Sequence, residues 1–166
     1  MELVDVVLEN GEYTGEVVER SEAQKRGLGH WEVIIFIVND KGEILLQKRS
    51  ANKKYYPNKW AVCSGLVISG ETVIEGAIRE LKEEVGVDFS LDEVHVLEEN
   101  VNLTRFYYVF CNKKEDEFVI QENELSCVKW FNIKKILNMI ENKDDSLVIN
   151  DRIYKVLLKL INEVLV

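Results

Sequence analysis

The chain is poor in proline, cysteine and histidine, and these shortages exclude several classes of protein. Its 166 residues contain one proline, three cysteines and two histidines. A single proline excludes collagen-like and proline-rich linker proteins. The cysteines are odd in number and form no Cys-x-x-Cys pair, so neither a disulfide framework nor a zinc site is indicated. We expect Cys63, Cys111 and Cys127 to be buried free thiols in a reducing cytoplasm.

Long apolar runs and an excess of positive charge are also missing. No apolar run approaches the roughly 20 residues that a membrane-spanning helix needs. The N-terminal segment has neither the basic start nor the apolar core of a signal peptide, so we expect a cytoplasmic protein. The 21 basic and 30 acidic residues give a formal net charge of -9. Because phosphate backbones repel an acidic surface, binding to a nucleic-acid scaffold is disfavoured. A phosphate-bearing ligand would need a cation between itself and the protein.

What the chain does contain is sufficient for one globular domain. Hydrophobic residues make up 46% of the sequence, a share that is ordinary for folded proteins. Neither a composition break nor an internal repeat divides the chain. We therefore expect a single domain over residues 1–166.

The apolar periodicity predicts strands on both sides of one central helix. Alternation around Asn10-Gly11 predicts a hairpin over 3–19, and further strand-like runs lie at 32–39, 43–49, 60–63, 94–98, 104–111, 118–121 and 127–131. One apolar stripe predicts a helix from Thr72 to Val85, with Gly86 as its stop. Two more helices are predicted, over 133–140 and 151–165. This order is typical of an α/β (α+β) fold in which a mixed β-sheet is sandwiched between α-helices.

Three glutamates share one face of the central helix. Glu80, Glu83 and Glu84 are spaced i, i+3 and i+4, so their carboxylates lie on one patch of helix surface. Like charges at this spacing repel each other, and a divalent cation makes the arrangement favourable. Carboxylate oxygens suit Mg²⁺ or Mn²⁺, which keep several waters and bridge to phosphate oxygens. A solvated helix face with a salt bridge to Arg79 is the alternative.

The residues around these glutamates form a longer pattern, GLVISGETVIEGAIRELKEEVGV at 65–87. This segment resembles the box of the Nudix hydrolase superfamily at every specified position, namely Gly65, Glu71, Arg79, Glu80, Leu81, Glu83, Glu84, Gly86 and Val87. A chance match in a chain of this length is on the order of one in ten million at average residue usage. The resemblance implies the Nudix fold and an enzyme that hydrolyses a diphosphate linked to another moiety.

The resemblance also implies the metal ligands and the candidates for the general base. Glu80, Glu83 and Glu84 are the implied ligands of Mg²⁺ or Mn²⁺, with the Ser64 carbonyl as a further one. Bound metal lowers the pKa of a water and balances charge at the transition state. The proton of that water goes to Glu83 or Glu84 in the box, or to Glu124 in a later loop. For Glu124, an ordinary exposed carboxylate is the alternative.

Four further box residues are implied to be structural. Glu71 and Arg79 form a salt bridge that holds the loop against the helix in this family. Gly65 and Gly86 frame the two ends of the box.

Cations and aromatic residues after the second core strand are candidates for substrate binding. Arg49 ends that strand, and Lys53 and Lys54 lie in the following loop, where they could contact phosphate. Tyr56 and Trp60 could stack on a base or cover an organic group, with core packing or loop anchoring as the alternative. The implied partner is a small diphosphate substrate. Many members of the family are homodimers, although the sequence does not fix the oligomeric state.

Outside the box the sequence resembles the Nudix subgroup related to isopentenyl-diphosphate isomerase. That enzyme uses a Cys-Gly-His stretch at the box entry, and the corresponding residues here are Ser64, Gly65 and Leu66. It also uses a histidine seven residues before the one that matches His30, and that place is Ala23. We therefore predict a Mg²⁺-dependent hydrolase of a small phosphorylated substrate, a nucleoside diphosphate derivative. The isomerase and a catalytically silent ligand-binding domain are the alternatives.

Overall fold

The computed structural model describes residues 1–165, in which nine strands and four α-helices follow one another along the chain. Their bounds are β1 Leu3–Val7, β2 Tyr13–Glu19, α1 Arg20–Arg26, β3 Glu32–Val38, β4 Glu43–Arg49, β5 Trp60–Ala61, β6 Cys63–Leu66, α2 Val73–Val85, β7 His95–Val101, β8 Thr104–Phe110, β9 Leu125–Asn132, α3 Ile133–Glu141 and α4 Asp151–Glu163. Single turns of 3₁₀ helix lie at Leu91–Glu93 and Glu115–Glu117.

Seven strands form one mixed sheet, and β1 and β2 form a separate antiparallel hairpin. The main path is β5-β4-β3-β8-β7, in which only the β3–β8 pair is parallel. One edge of β3 is divided between two partners, because Glu32–Ile35 pair with β6 whereas Val38 pairs with Ile44 of β4. β4 pairs with β9 along its other edge, and its Gln47 and Lys48 pair with β5. The sheet therefore splits beside β3, and a cleft separates the end of β4 from β6.

Helices cover both faces of this sheet. Alternate residues of β3 enter two different apolar clusters, which explains its continuous apolar run. Val33 and Ile35 pack in the cluster that contains Leu81 of α2. Ile34 and Phe36 pack in the cluster that is completed by residues of α3 and α4, namely Ile136, Ile153, Val156, Leu157 and Leu160. This arrangement confirms the predicted mixed sheet between helices.

The central helix α2 begins and ends where the sequence predicts. Thr72 and Glu75 form a capping box, in which the Thr72 hydroxyl accepts the Glu75 N–H at 3.3 Å and the Glu75 carboxylate accepts the Thr72 N–H at 2.8 Å. At the other end Gly86 adopts a left-handed conformation with φ of 71°, which glycine adopts without the steric cost of a Cβ. The boundaries of the helix are thus set by its own sequence.

Three elements differ from the prediction. The strand predicted at 60–63 is instead two short strands, β5 and β6. The sequence does not predict α1, since this short helix buries only Ala23 and carries no apolar stripe. The predicted strand at 118–121 is wrong. Its Val119 and Gln121 amides donate to the carbonyls of Val85 and Glu84 at 3.1 and 3.2 Å. The segment is therefore a loop bonded to the end of α2.

The cysteines are free, as expected, but they are not all buried. Cys63 is buried, Cys111 is partly buried and Cys127 is exposed, so the expectation of buried thiols is correct for Cys63 and wrong for Cys127. Within residues 1–165, no helix combines the length and the apolar character needed to cross a membrane.

Candidate active site

A cavity of about 420 Å³ opens at the split in the sheet. Side chains from both sides of the split line it, together with α2 and the loop before β9. The acids and cations predicted from the sequence that line this cavity are Glu80, Glu83, Glu84, Glu124, Arg49 and Lys53, and Ser64 and Gly65 line it as well. Folding therefore gathers most of the predicted site residues around one space.

Arg79 and Glu71 tie the loop before α2 to the helix. The Glu71 carboxylate accepts bonds from Arg79 Nη2 at 2.8 Å and Nε at 3.0 Å, and from the Ile68 amide at 2.7 Å. Arg79 Nη2 also donates to the Leu66 carbonyl at 2.7 Å. Both members of this ion pair are largely buried. The implied salt bridge is thus present, and it fixes the strand-to-helix connection at both of its ends.

Gly65 permits a close approach between β6 and α2. A Cβ atom on this residue would lie 2.1 Å from both Cδ and Oε1 of Glu80. No side chain can be accommodated at that distance without displacing the carboxylate. The glycine therefore allows Glu80 to lie against the backbone of β6.

The three box glutamates are held by donors of the protein itself. Arg79 Nη1 contacts Glu80 Oε1 at 2.9 Å and Glu83 Oε2 at 3.1 Å. Glu84 Oε2 accepts from the side-chain amide of the buried Gln47 at 2.8 Å. In this arrangement, no group of three His, Cys, Asp or Glu side chains within residues 1–165 is gathered closely enough to hold a metal ion. Glu80 and Glu83 thus share Arg79 as their partner, whereas Glu84 is bonded to Gln47.

Burial and repulsion between carboxylates disfavour the ionised form of two of these glutamates in the absence of a cation. Burial, followed by the negative charge of Glu84, raises the pKa of Glu80 to about 7, and Arg79 opposes this rise. Burial also raises the pKa of Glu84, against the hydrogen bonds from Gln47, Cys63 and the Ser64 amide. A nearby positive charge would lower the pKa values of both Glu80 and Glu84. The donor set is rich in carboxylate oxygen and fits a hard divalent cation such as Mg²⁺ or Mn²⁺.

Glu124 and two of the predicted phosphate-binding cations lie together at another part of the cavity. Lys53 forms an ion pair with Glu124, and the Ser50 amide donates to the Glu124 carbonyl at 2.9 Å. Arg49 Nε donates to the carbonyl of Tyr55 at 3.0 Å. The loop after β4 and the loop before β9 are therefore joined beside the carboxylates of α2.

Three residues singled out in the sequence do not line the cavity. The Lys54 ammonium lies 5.2 Å from the centre of the Tyr55 ring on the exposed side of the loop. Tyr56 is 59% exposed and has a φ of 52°. Trp60 packs edge-on against Phe131 with ring centres 5.0 Å apart, which favours core packing.

Sequence reasoning missed several residues that line the cavity. Gln47 interrupts the apolar run of β4. A polar residue inside a buried strand is a signal from which a functional role could have been predicted. Glu32, Arg20 and Arg152 also line the cavity. Their positions at the ends of β3, α1 and α4 carry no local pattern, because only the tertiary fold brings them to the site.

Two of the positions that match histidines of the isomerase, Ala23 and Leu66, form part of an apolar cluster. Ala23 is fully buried and Leu66 is 9% exposed. Both pack with residues of the β1–β2 hairpin, namely Val4, Val6 and Val18. The side chains of this cluster are apolar, and none of them can bind a metal ion.

Comparison with known proteins agrees with the fold and the box. The family model of the NUDIX domain matches residues 28–151. The chain is 32% identical over 133 residues to Isopentenyl-diphosphate Delta-isomerase 2 of Photorhabdus laumondii, covering 76% of this chain and 75% of that protein. It is 29% identical over 140 residues to an uncharacterized Nudix hydrolase of Listeria innocua, covering 82% and 83% of the two chains.

A solved structure has the same architecture. The protein DR0079 of Deinococcus radiodurans superposes with a TM-score of 0.74 at 23% identity, over 95% of this chain and 98% of that chain. At this identity the likeness supports the fold only, whereas the family match covers most of the sequence. The chain therefore belongs to the Nudix superfamily, with sequence relatives among both its hydrolases and its isopentenyl-diphosphate isomerases.

Proposed function

We propose that the protein is a Mg²⁺-dependent Nudix hydrolase that cleaves a diphosphate linkage in a small phosphorylated substrate, a nucleoside diphosphate derivative. One observation carries the proposal. The buried carboxylates of Glu80 and Glu84, whose pKa values are raised, line the same cavity as the cationic Arg49 and Lys53. Such a cavity offers ligands for a divalent cation beside side chains that bind phosphate.

Glu80, Glu83 and Glu84 would hold the metal, with the Ser64 carbonyl as a further ligand and Mn²⁺ as a substitute ion. Bound there, the metal lowers the pKa of an attacking water and neutralises charge on the phosphate oxygens. Arg79 sets the positions of Glu80 and Glu83, because one of its nitrogens contacts both carboxylates. Both glutamates also line the cavity in which the metal would bind.

Arg49 and Lys53 would bind the phosphate oxygens on the other side of the cavity. Lys53 is paired with Glu124 in the free protein. A substrate phosphate that takes over Lys53 leaves the Glu124 carboxylate available to accept the proton of the attacking water. Glu83 and Glu84 are the other candidates for this base. Because Glu83 and Glu84 would both be metal ligands, Glu124 is the preferred base.

The test is an activity screen of nucleoside diphosphate derivatives with Mg²⁺, comparing the wild type with Glu83→Gln. Asp88→Asn removes the same charge just after α2 and serves as the control, since this aspartate is 79% exposed. We expect hydrolysis by the wild type and the control and a large loss in Glu83→Gln. Absence of hydrolysis of every substrate, or full activity of Glu83→Gln, would overturn the proposal.

Isomerisation of isopentenyl diphosphate is the second candidate, because a relative with that name aligns with three quarters of this chain. Ser64, Leu66 and Ala23 speak against it, since each replaces a group that the isomerase needs. Incubation with isopentenyl diphosphate and Mg²⁺ separates the two candidates. Formation of the isomer would replace the hydrolase proposal, whereas unchanged substrate would leave it in place.

A further inference from the structure

Two charged side chains line the cavity from the face of the sheet opposite α2. Glu32 begins β3 and shares a face with Ile34, which packs in the cluster of α3 and α4. Arg152 lies in the first turn of α4. Both are partly buried, and both line the same cavity as the box glutamates. The metal site and the phosphate-binding cations do not account for either residue.

Thr104 links these two residues. It is fully buried and lies opposite Glu32 in the register of the parallel β3–β8 pair. Its hydroxyl accepts a hydrogen bond from Arg152 Nη1 at 2.8 Å. The guanidinium is therefore held over the start of β8, one strand away from Glu32.

The two opposite charges are near each other but are not paired. Within residues 1–165, no nitrogen of Arg152 lies within 4.0 Å of a carboxylate oxygen. Over the same residues, no donor contacts the Glu32 carboxylate. Partly buried polar groups normally find partners. Within residues 1–165, the Glu32 carboxylate and the donors of Arg152 other than Nη1 therefore have no side-chain partner, and both residues line the cavity.

The position of Arg152 has no benefit for the stability of α4. Positive side chains are unfavourable in the first turn of a helix, where the backbone amides already carry partial positive charge. The helix start is secured instead by Asn150, whose side chain accepts the Ile153 amide at 2.9 Å. The bond to the buried Thr104 holds the Arg152 side chain in place, and the other donors of its guanidinium remain available in the cavity that it lines.

The cavity also lacks a surface for a nucleobase. No aromatic side chain among the described residues lines it, so a base inside would have no stacking partner. Tyr55 and Tyr56 are 63% and 59% exposed on the loop outside. The interior thus suits a group that is recognised through hydrogen bonds.

We propose that Glu32 and Arg152 bind the hydroxyl groups of a sugar, the half of the substrate that the diphosphate joins to the nucleoside. Glu32 accepts hydrogen bonds from the sugar hydroxyls, and Arg152 donates to their oxygens. The nucleoside remains toward the loop that carries Tyr55 and Tyr56. This inference rests on the proposed hydrolase activity and identifies the two residues that select its substrate.

The test compares pairs of substrates that differ only in the sugar. ADP-ribose, ADP-glucose and UDP-glucose are each measured against the methyl ester of the same nucleoside diphosphate, and the best-cleaved pair is used for the variants. We expect Glu32→Gln and Arg152→Gln to lower kcat/KM for the sugar substrate by about 10- to 100-fold, the cost of a lost hydrogen bond to a charged group. The same variants should change kcat/KM for the methyl ester by less than about twofold, because that ester makes no such bond.

Two further variants guard against indirect effects. Lys155→Gln removes a positive charge from the exposed side of α4 and should leave both rates unchanged. Arg152→Lys keeps one donor and should recover part of the activity on the sugar substrate. Equal losses on the sugar substrate and the methyl ester, or no loss on either, would overturn the inference and leave the hydrolase proposal standing. A wild type that cleaves neither class of substrate would overturn both.

Discussion

The two ends of the cavity are built in different ways. At the box end, Arg79 joins Glu71, Glu80 and Glu83 through hydrogen bonds of 2.8 to 3.1 Å, all within one stretch of chain. At the other end, Glu32 and Arg152 come from distant parts of the sequence and make no ion pair with each other. The charges of the box end are paired within the protein, whereas Glu32 and Arg152, which form the far end, keep hydrogen-bonding groups that no side chain of residues 1–165 occupies. Under the proposed function, the metal site would depend on residues that are close in the sequence, whereas substrate selection would depend on the tertiary fold.

The largest expected effect comes from removing one carboxylate of the box end. Glu80→Gln should lower kcat by on the order of a thousandfold, the scale of losing one preorganised charge that stabilises the transition state. Binding of a sugar-containing product should be retained, since the far end is untouched. Steady-state kinetics and calorimetry measure the two properties. Retention of full activity would show that the box end does not do the chemistry.

The second prediction concerns the stability that the paired charges give to the box end. Arg79→Met leaves the carboxylates of Glu71 and Glu80 buried without their partner, which should cost about 3 kcal/mol of unfolding free energy. Urea denaturation measures this cost. Lys82→Met is the matched control on the same helix, because its ion pair with Asp88 is more than half exposed and should contribute less than about 1 kcal/mol. Equal effects of the two substitutions would contradict the account.

The third prediction is a pH dependence of the metal-free protein. The pKa of Glu80 is raised from 4.5 to about 7 in the folded chain, so between these values the folded state holds a proton that the unfolded state has lost. This stabilising contribution is therefore complete below pH 4.5 and is lost as pH rises through 7. The loss is on the order of 3 kcal/mol at most.

Urea midpoints in the presence of a chelator at pH 5, 6, 7 and 8 would show this decline. Glu80→Gln cannot titrate and should give a flatter profile. Mg²⁺ should restore stability mainly at the alkaline end, where the carboxylates are ionised. The same slope in wild type and variant would show that another group is responsible.

The smallest expected effect is the change in stability when Glu32, at the far end of the cavity, is replaced. Glu32→Gln should change the unfolding free energy by less than about 0.5 kcal/mol, because its carboxylate has no partner in the free protein. The same substitution is expected to lower activity on sugar substrates. Thermal denaturation beside the kinetics provides the comparison. A strong loss of stability would show that Glu32 is structural.

The same contrast explains what the sequence could predict. The box was recognisable because its residues are spaced along one helix and one loop, and the capping residues Thr72 and Gly86 set the helix ends locally. The mixed sheet between helices and the superfamily were predicted correctly for the same reason. The strand predicted at 118–121 was wrong because its amides bond to the end of α2, a partner that periodicity does not reveal.

The far end of the cavity had no such local pattern. Arg152 reaches the cavity only because α4 packs on the face of β3 and β8, and its contact with Thr104 joins residues that are 48 positions apart in the sequence. Gln47 was also missed, although a polar residue within the apolar β4 is a usable signal. Residues that reach the site through long-range packing can be identified only from the structure.

Cleavage of a nucleoside diphosphate sugar, followed by phosphorus NMR with and without Mg²⁺, tests the central claim most directly. The account predicts that the diphosphate signals are replaced by those of two monophosphates only when Mg²⁺ is present, and that Glu83→Gln abolishes the change. Persistence of the diphosphate signals with Mg²⁺ for every substrate in the panel, or cleavage that is independent of both Mg²⁺ and Glu83, would contradict it.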